Sequence, residues 1–243
     1  MKQVIILTGA TGGLGSILAK RMLKECDGEL ICIYRNEHKF HSIYKKIEGN
    51  IISYKTYDKD DYKELLKIVD SLDSEEIVVV LNAFSIVPIK RIGEFTYKEI
   101  QQMVNGNIIQ NITLINCICT YCKKHIHKLR IINIDSGAAD FPLTGWANYC
   151  AAKAYINVFL SVVLHENPEF KVVSYDPGVM DTPMQNQIRE TDRNIFSEVD
   201  RFISYKTEGK LISPEITAEE LIKNYIVNWK AETLREKYKV NKK

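Results

Sequence analysis

The chain has 243 residues, 45% of them apolar, and 33 basic against 31 acidic side chains leave a formal net charge of +2. That length suits one sizeable domain with a buried core, and the balanced charge argues against a nucleic-acid binder or an acidic solvating tail. No continuous apolar run reaches the roughly 20 residues that cross a bilayer, and the short run after Lys2 lacks the length and cleavage site of a signal peptide, so a cytoplasmic protein with no membrane association is expected.

In chain order, short apolar runs alternate with helical patterns. Residues 3–9 (QVIILTG) read as a strand, followed by a helix around 14–25. Residues 29–35 (ELICIYR) read as a second strand before a short charged helix. Residues 50–58 (NIISYKTYD) read as a third, before the helical DYKELLKIVDSL, and 76–84 (EIVVVLNAF) as a fourth, before a helix that begins near Thr96. Cys117, Cys119 and Cys122 fall in a further apolar helical stretch; with His125 and His127 they match no zinc spacing, so free thiols and no metal are expected. Residues 129–136 (LRIINIDS) and 171–178 (KVVSYDPG) read as strands five and six, separated by a helix after Trp146. Thr96 with Glu99, and Thr217 with Glu220, have capping-box spacing. The ending REKYKVNKK reads as a seventh, edge strand or a frayed tail. The alternation implies an α/β fold: a Rossmann-type, doubly wound parallel sheet of about seven strands with helices on both faces. It is read as a single domain, 1–243, in which the one long irregular and polar stretch, 179–213, forms a lid over a substrate.

Two stretches carry chemistry. TGATGGLG (8–15) lies between the first strand and the first helix, with Gly9, Gly13 and Gly15 spaced for a tight turn whose backbone approaches a diphosphate at a helix N-terminus. Thr11, Gly12 and Leu14 complete that turn. After the second strand stands Arg35, followed by Asn36, with no acid until Glu37. A guanidinium there suits a ribose 2′-phosphate, so NADP(H) is expected rather than NAD.

The second stretch holds Ser136 at a strand end and Tyr149 and Lys153 on one helix face, four residues apart. A lysine cation beside a tyrosine lowers the phenol pKa, and a serine hydroxyl can hold a carbonyl oxygen. Together they suit carbonyl reduction, with the tyrosine as proton donor and a nicotinamide as hydride source.

These motifs, with LNAF, YCAAK and DPGVMDTPM in their order and spacing, resemble the short-chain dehydrogenase/reductases over essentially the whole chain. The resemblance implies a fourth catalytic residue among Asn105, Asn107 and Asn111; Asn107 fits best, since Met103 and Val104 match the apolar pair that precedes it. It places Asp58 on the adenine, Asn82 and Ala83 on the ribose side, and Pro177, Gly178, Val179 and Thr182 on the nicotinamide carboxamide. Phe84 stands where the family has glycine and is expected to crowd the cofactor channel or pack on the central helix.

GWANYCAAKA, PGVMDTPMQNQIRET and EGKLISPEITAEELI look like the sepiapterin reductases and the similar bacterial benzil reductases. The expected C-terminal strand is read as lacking the acid with which sepiapterin reductases anchor a pterin, which favours a dicarbonyl substrate of the benzil type. Trp146, Phe141 and Met184 are expected near that small-molecule carbonyl substrate; Gln185, Gln187 and Arg189 are polar lid residues without an assigned role. An NADP(H)-binding sensor or scaffold without catalysis, or a reductase of another ketone such as a 3-oxoacyl group, are the alternatives. A homodimer through helices and a monomer both fit a polar edge strand.

Overall fold

The computed structural model describes residues 2–45, 49, 51–56 and 61–238. Among them seven strands form one parallel sheet: β1 (Gln3–Thr8), β2 (Gly28–Tyr34), β3 (Ile51–Lys55), β4 (Glu76–Leu81), β5 (Lys128–Ile134), β6 (Lys171–Asp176) and β7 (Arg235–Lys237). Their order is β3-β2-β1-β4-β5-β6-β7. The direction of winding reverses between β1 and β4, so the strands' carboxyl ends open a crevice there, where open α/β sheets bind ligands.

The five inner strands, β1, β2, β4, β5 and β6, are mostly buried on both faces, which explains their high Val/Ile content. Side-chain alternation divides the core in two. Ile5, Leu7, Val78, Val80, Ile132 and Val173 pack under α1 (Gly13–Glu25) and the C-terminal helix. Val4, Ile6, Val79, Leu81, Ile131 and Val172 pack under α3 (Lys63–Ser71), α5 (Gln110–His125) and α6 (Ala147–Glu166). A short α2 (Glu37–Tyr44) follows β2, and α4 (Tyr97–Val104) runs through a π-turn, Asn105–Ile109, into α5. The Thr96–Glu99 capping box forms as read, with both reciprocal hydrogen bonds.

Three sequence readings change. The last helix, α9, is Pro214–Leu221 and starts four residues earlier than a Thr217 cap would set it. Ser213 caps it and Pro214 occupies its first turn, while Thr217 is fully buried inside the helix. Residues 179–213 are not irregular: they hold α7 (Pro183–Arg189) and α8 (Val199–Thr207), tied at their root by a Met180–Ile212 bridge. Within the ending, Arg235–Lys237 form strand β7, paired to β6 with Tyr175 opposite Glu236. An acid therefore does stand in the last strand, but the Glu236 carboxylate accepts from the Tyr225 hydroxyl (2.6 Å) and the backbone N–H groups of Glu232 and Thr233, so it is already engaged. Helix α6 is long and apolar enough to cross a membrane by length and composition alone, and its inner face packs into the core through Ile156, Leu160 and Val163.

Candidate active site

The crevice begins at the turn between β1 and α1. Gly9 takes φ +65°, and a Cβ on Gly15 would collide with the Gly9 carbonyl oxygen and stand 2.6 Å from Asn82 Nδ2. Glycine is required at both places, one for its backbone angle and the other for close approach. Helix α1 opens at Gly12 with no side-chain cap, so its first N–H groups and dipole face the crevice. Buried Leu14 anchors the helix from below, and Thr11 is half-buried on the turn. The cradle fits a dinucleotide's diphosphate.

The turn is braced from β4. Thr8 Oγ1 accepts from the N–H groups of Asn82 (2.9 Å) and Ala83 (3.0 Å), and Asn82 Nδ2 donates to the carbonyls of Thr8 and Gly9. The side chain of Asn82 thus holds the turn's shape. Arg35 is exposed and reaches across to the π-turn, where a Cβ on Gly106 would stand 3.2 Å from its Nη1. With Ser85, Val87, Met103 and Asn107 it lines a cavity of about 290 Å³. Asn36 is otherwise employed, because its side chain caps α2 by accepting from Lys39 N (2.9 Å). Asp58 lies outside the described residues.

Ser136, Tyr149 and Lys153 come together at the carboxyl end of β5. Ser136 sits two residues beyond the strand and caps a single 3-10 turn, accepting from Ala138 N. Tyr149 and Lys153 are both buried on the inner face of α6. Burial raises the Tyr149 pKa well above that of a free phenol; a hydrogen bond with Ser136 opposes this, and the charges of Asp135 and Asp176 add to it. The expectation that Lys153 lowers the phenol pKa is not met in this structure. The reason is geometric: Lys153 Nζ donates to the Ile134 carbonyl (2.5 Å), sits 3.2 Å from the Phe84 ring centroid and lies 5.7 Å from that of Tyr149. Burial lowers the lysine's own pKa to about 7, against the raising effect of Asp135 and Asp176.

Asn107 lies in the π-turn, a feature frequent at functional sites. Its side chain is bidentate on the backbone of Ser85, accepting from N (2.8 Å) and donating to O (2.7 Å). Its own carbonyl accepts from Asn111 Nδ2 (2.9 Å), which also reaches the Ala83 carbonyl. Two asparagines therefore fix the segment that carries Phe84.

Residues 177–212 form the other side. Val179 O accepts from Ile212 N, and Gly178, with φ +74°, donates to Asp176 Oδ1. Pro177 joins Asp176 to this glycine. Thr182 occupies the N-cap position of α7 without a side-chain cap hydrogen bond and lies against the glycine turn: a Cβ on Gly13 would be 3.0 Å from Thr182 Cβ and 2.9 Å from Pro183 Cδ. Trp146 is buried, stacks on Phe196 (4.8 Å) and meets Tyr149 edge-on (6.0 Å). Met184 packs against the same cluster. Phe141, expected near the substrate, is 65% exposed and lies outside it. Phe196 and Phe202, which the sequence reading passed over, roof Trp146 instead. Their signal was present as aromatic residues in an otherwise polar stretch.

Comparison with known proteins agrees with this geometry. The family model described as short chain dehydrogenase matches residues 3–193, and the chain belongs to that family of oxidoreductases. It is 33% identical over 230 residues to a benzil reductase ((S)-benzoin forming) of Bacillus cereus, covering 90% of this chain and 92% of that protein. It is 26% identical to the sepiapterin reductase of Rattus norvegicus, covering 90% and 89%. A short chain dehydrogenase/reductase crystal structure from Saccharomyces cerevisiae superposes with a TM-score of 0.87 at 19% identity, covering 98% and 97%.

Proposed function

We propose that this protein is an NADPH-dependent reductase of vicinal diketones of the benzil type. The observation that carries the reading is the state of Tyr149. Buried, hydrogen-bonded with Ser136 and raised in pKa, its phenol stays protonated across the physiological range. A protonated phenol serves reduction, in which an alkoxide must receive a proton, better than oxidation, which needs the phenolate.

The residues divide the work as follows. The α1 N-terminus and the turn 9–15 hold the diphosphate, and Arg35 takes the 2′-phosphate. When bound, the reduced nicotinamide supplies a hydride to the carbonyl carbon. Ser136 donates a hydrogen bond to the carbonyl oxygen, and Tyr149 gives that oxygen its proton as negative charge develops there. Lys153 supplies positive charge one helical turn along, and Asn107 keeps the 83–85 segment in place. Trp146 brings a flat apolar wall and a buried indole N–H without a protein partner, which suits a second carbonyl oxygen. The likeness to the Bacillus cereus enzyme supports the substrate class.

The reading includes a homodimer through the outer face of α6, where Tyr155, Val158 and Val162 are exposed, and a cytoplasmic location, which six free cysteines support. Gel filtration with light scattering checks the dimer. The activity is tested by following NADPH oxidation at 340 nm with benzil, then sepiapterin, with NADH in parallel. Tyr149→Phe should remove nearly all turnover and leave NADPH binding within about twofold. Full turnover in that variant, or no turnover of any diketone by protein that binds NADPH, overturns the reading.

A further inference from the structure

Behind the site, the short strand β7 delivers two cations to three acids. Pairing to β6 puts Arg235 opposite Ser174 and Lys237 opposite Asp176, and period-two alternation turns both side chains to one face while Glu236 faces Tyr225. Arg235 donates to Asp140 Oδ1 (2.6 Å) and Oδ2 (2.9 Å) and to Asp135 Oδ2 (3.1 Å). Lys237 Nζ lies 3.7 Å from Asp176 and 3.8 Å from Asp140. Asp135 and Asp140 bracket the 3-10 turn that begins at Ser136, so one guanidinium spans the turn that carries the candidate catalytic serine.

Asp135 is the unusual member. Its side chain is 1% exposed, and its Oδ2 also accepts from Asn157 Nδ2 (2.8 Å) on α6. Its Oδ1 is buried without a partner. A carboxylate in that position is costly unless a cation answers it. Arg235 is 39% exposed, so it reaches Asp135 from the surface. The charged groups that act on Lys153 are Asp135 at the end of β5 and Asp176 at the end of β6; Tyr149 and the Phe84 face are its other near neighbours.

We infer that Arg235 is a positioning residue: through Asp135 it holds the Ser136 turn and sets the charge that Lys153 and Tyr149 experience. The edge strand then acts on the chemistry without touching the substrate. The consequence for reduction rests on the function proposed above.

The test reads Lys153 directly. Protein labelled with 13C at the lysine ε-carbons is titrated by NMR, with Lys153 assigned from a Lys153→Arg variant. Arg235→Gln leaves Asp135 less compensated, so the Lys153 titration should move up by about half a unit or more. Asp135→Asn removes the anion, so it should move down by a similar amount. Arg235→Lys should stay close to the parent. The alkaline limb of kcat/KM for the diketone should move in the same directions. A structural brace alone predicts lower activity with no opposed shifts. Shifts of one sign in both variants, or no shift in Arg235→Gln, overturn the inference. If Asp135→Asn fails to fold, the Gln and Lys variants of Arg235 decide the matter. If the parent protein reduces no diketone, the substrate reading fails while the lysine titration still answers this one.

Discussion

The ammonium nitrogen of Lys153 lies 3.2 Å from the centroid of the Phe84 ring. Phe84 stands where the family resemblance implies a glycine, and its ring also packs against both the central core and the cluster around Trp146. A cation over an aromatic face in a desolvated site is worth roughly 1–2 kcal/mol. Phe84→Leu keeps the bulk and removes the π face. It should cost on the order of 1 kcal/mol in urea unfolding and move the Lys153 titration further down. An unchanged titration would show that the ring is only a filler.

Lys153 also predicts a stability profile. Its folded pKa, about 7, lies below the ordinary value of 10.5, so between those limits the unfolded chain binds the extra proton. Stability should therefore rise with pH as the solution passes upward through 7. Below pH 7 the cost of burying the charge is present in full. Lys153→Met should be more stable than the parent at pH 6, and the difference should shrink by pH 9, below the range where tyrosines titrate. Denaturant unfolding at pH 6, 7.5 and 9 checks the sign.

Arg35 should decide between cofactors. Arg35→Ser is expected to weaken NADPH binding about tenfold, the scale of one charge-assisted hydrogen bond, and to leave NADH within about twofold. Equal loss for both cofactors would mean that Arg35 serves the π-turn at Gly106 rather than a phosphate.

The aromatic roof should matter to substrate more than to cofactor. Phe196 is fully buried against Trp146, so Phe196→Ala should cost about 3 kcal/mol or more. Trp146→Phe keeps an aromatic wall and deletes the indole N–H. It should raise KM for a diketone several-fold while a monoketone's KM moves little, in steady-state assays at saturating NADPH. Equal effects on both substrates would remove the indole's assigned role.

Much of this is legible in the sequence. The parallel sheet follows from apolar runs that alternate with helical periods, and the glycine turn from spacing that only close backbone approach explains. Tyr149 and Lys153 share a face because four residues make one helical turn. Other features were not local. Ser213 and Pro214 outranked Thr217 as the start of α9 because the tertiary fold buries Thr217. Phe141 looked like a pocket residue and faces solvent, while Phe196 and Phe202 were hidden in a stretch read as irregular.

By itself, the sequence determined the doubly wound class of the sheet, the glycine turn and the Ser136, Tyr149 and Lys153 set, because each depends on periodicity or on spacing; the resemblance carried by these motifs added the family and Asn107. Only the tertiary structure decided what surrounds the tetrad. Asp135 and Arg235 are 100 residues apart, and Phe84 reaches Lys153 across the crevice from a different strand. Such contacts depend on which side chains the packed sheet brings within a few ångströms. They set the charge and burial of Tyr149 and Lys153, and no local pattern in the chain records them.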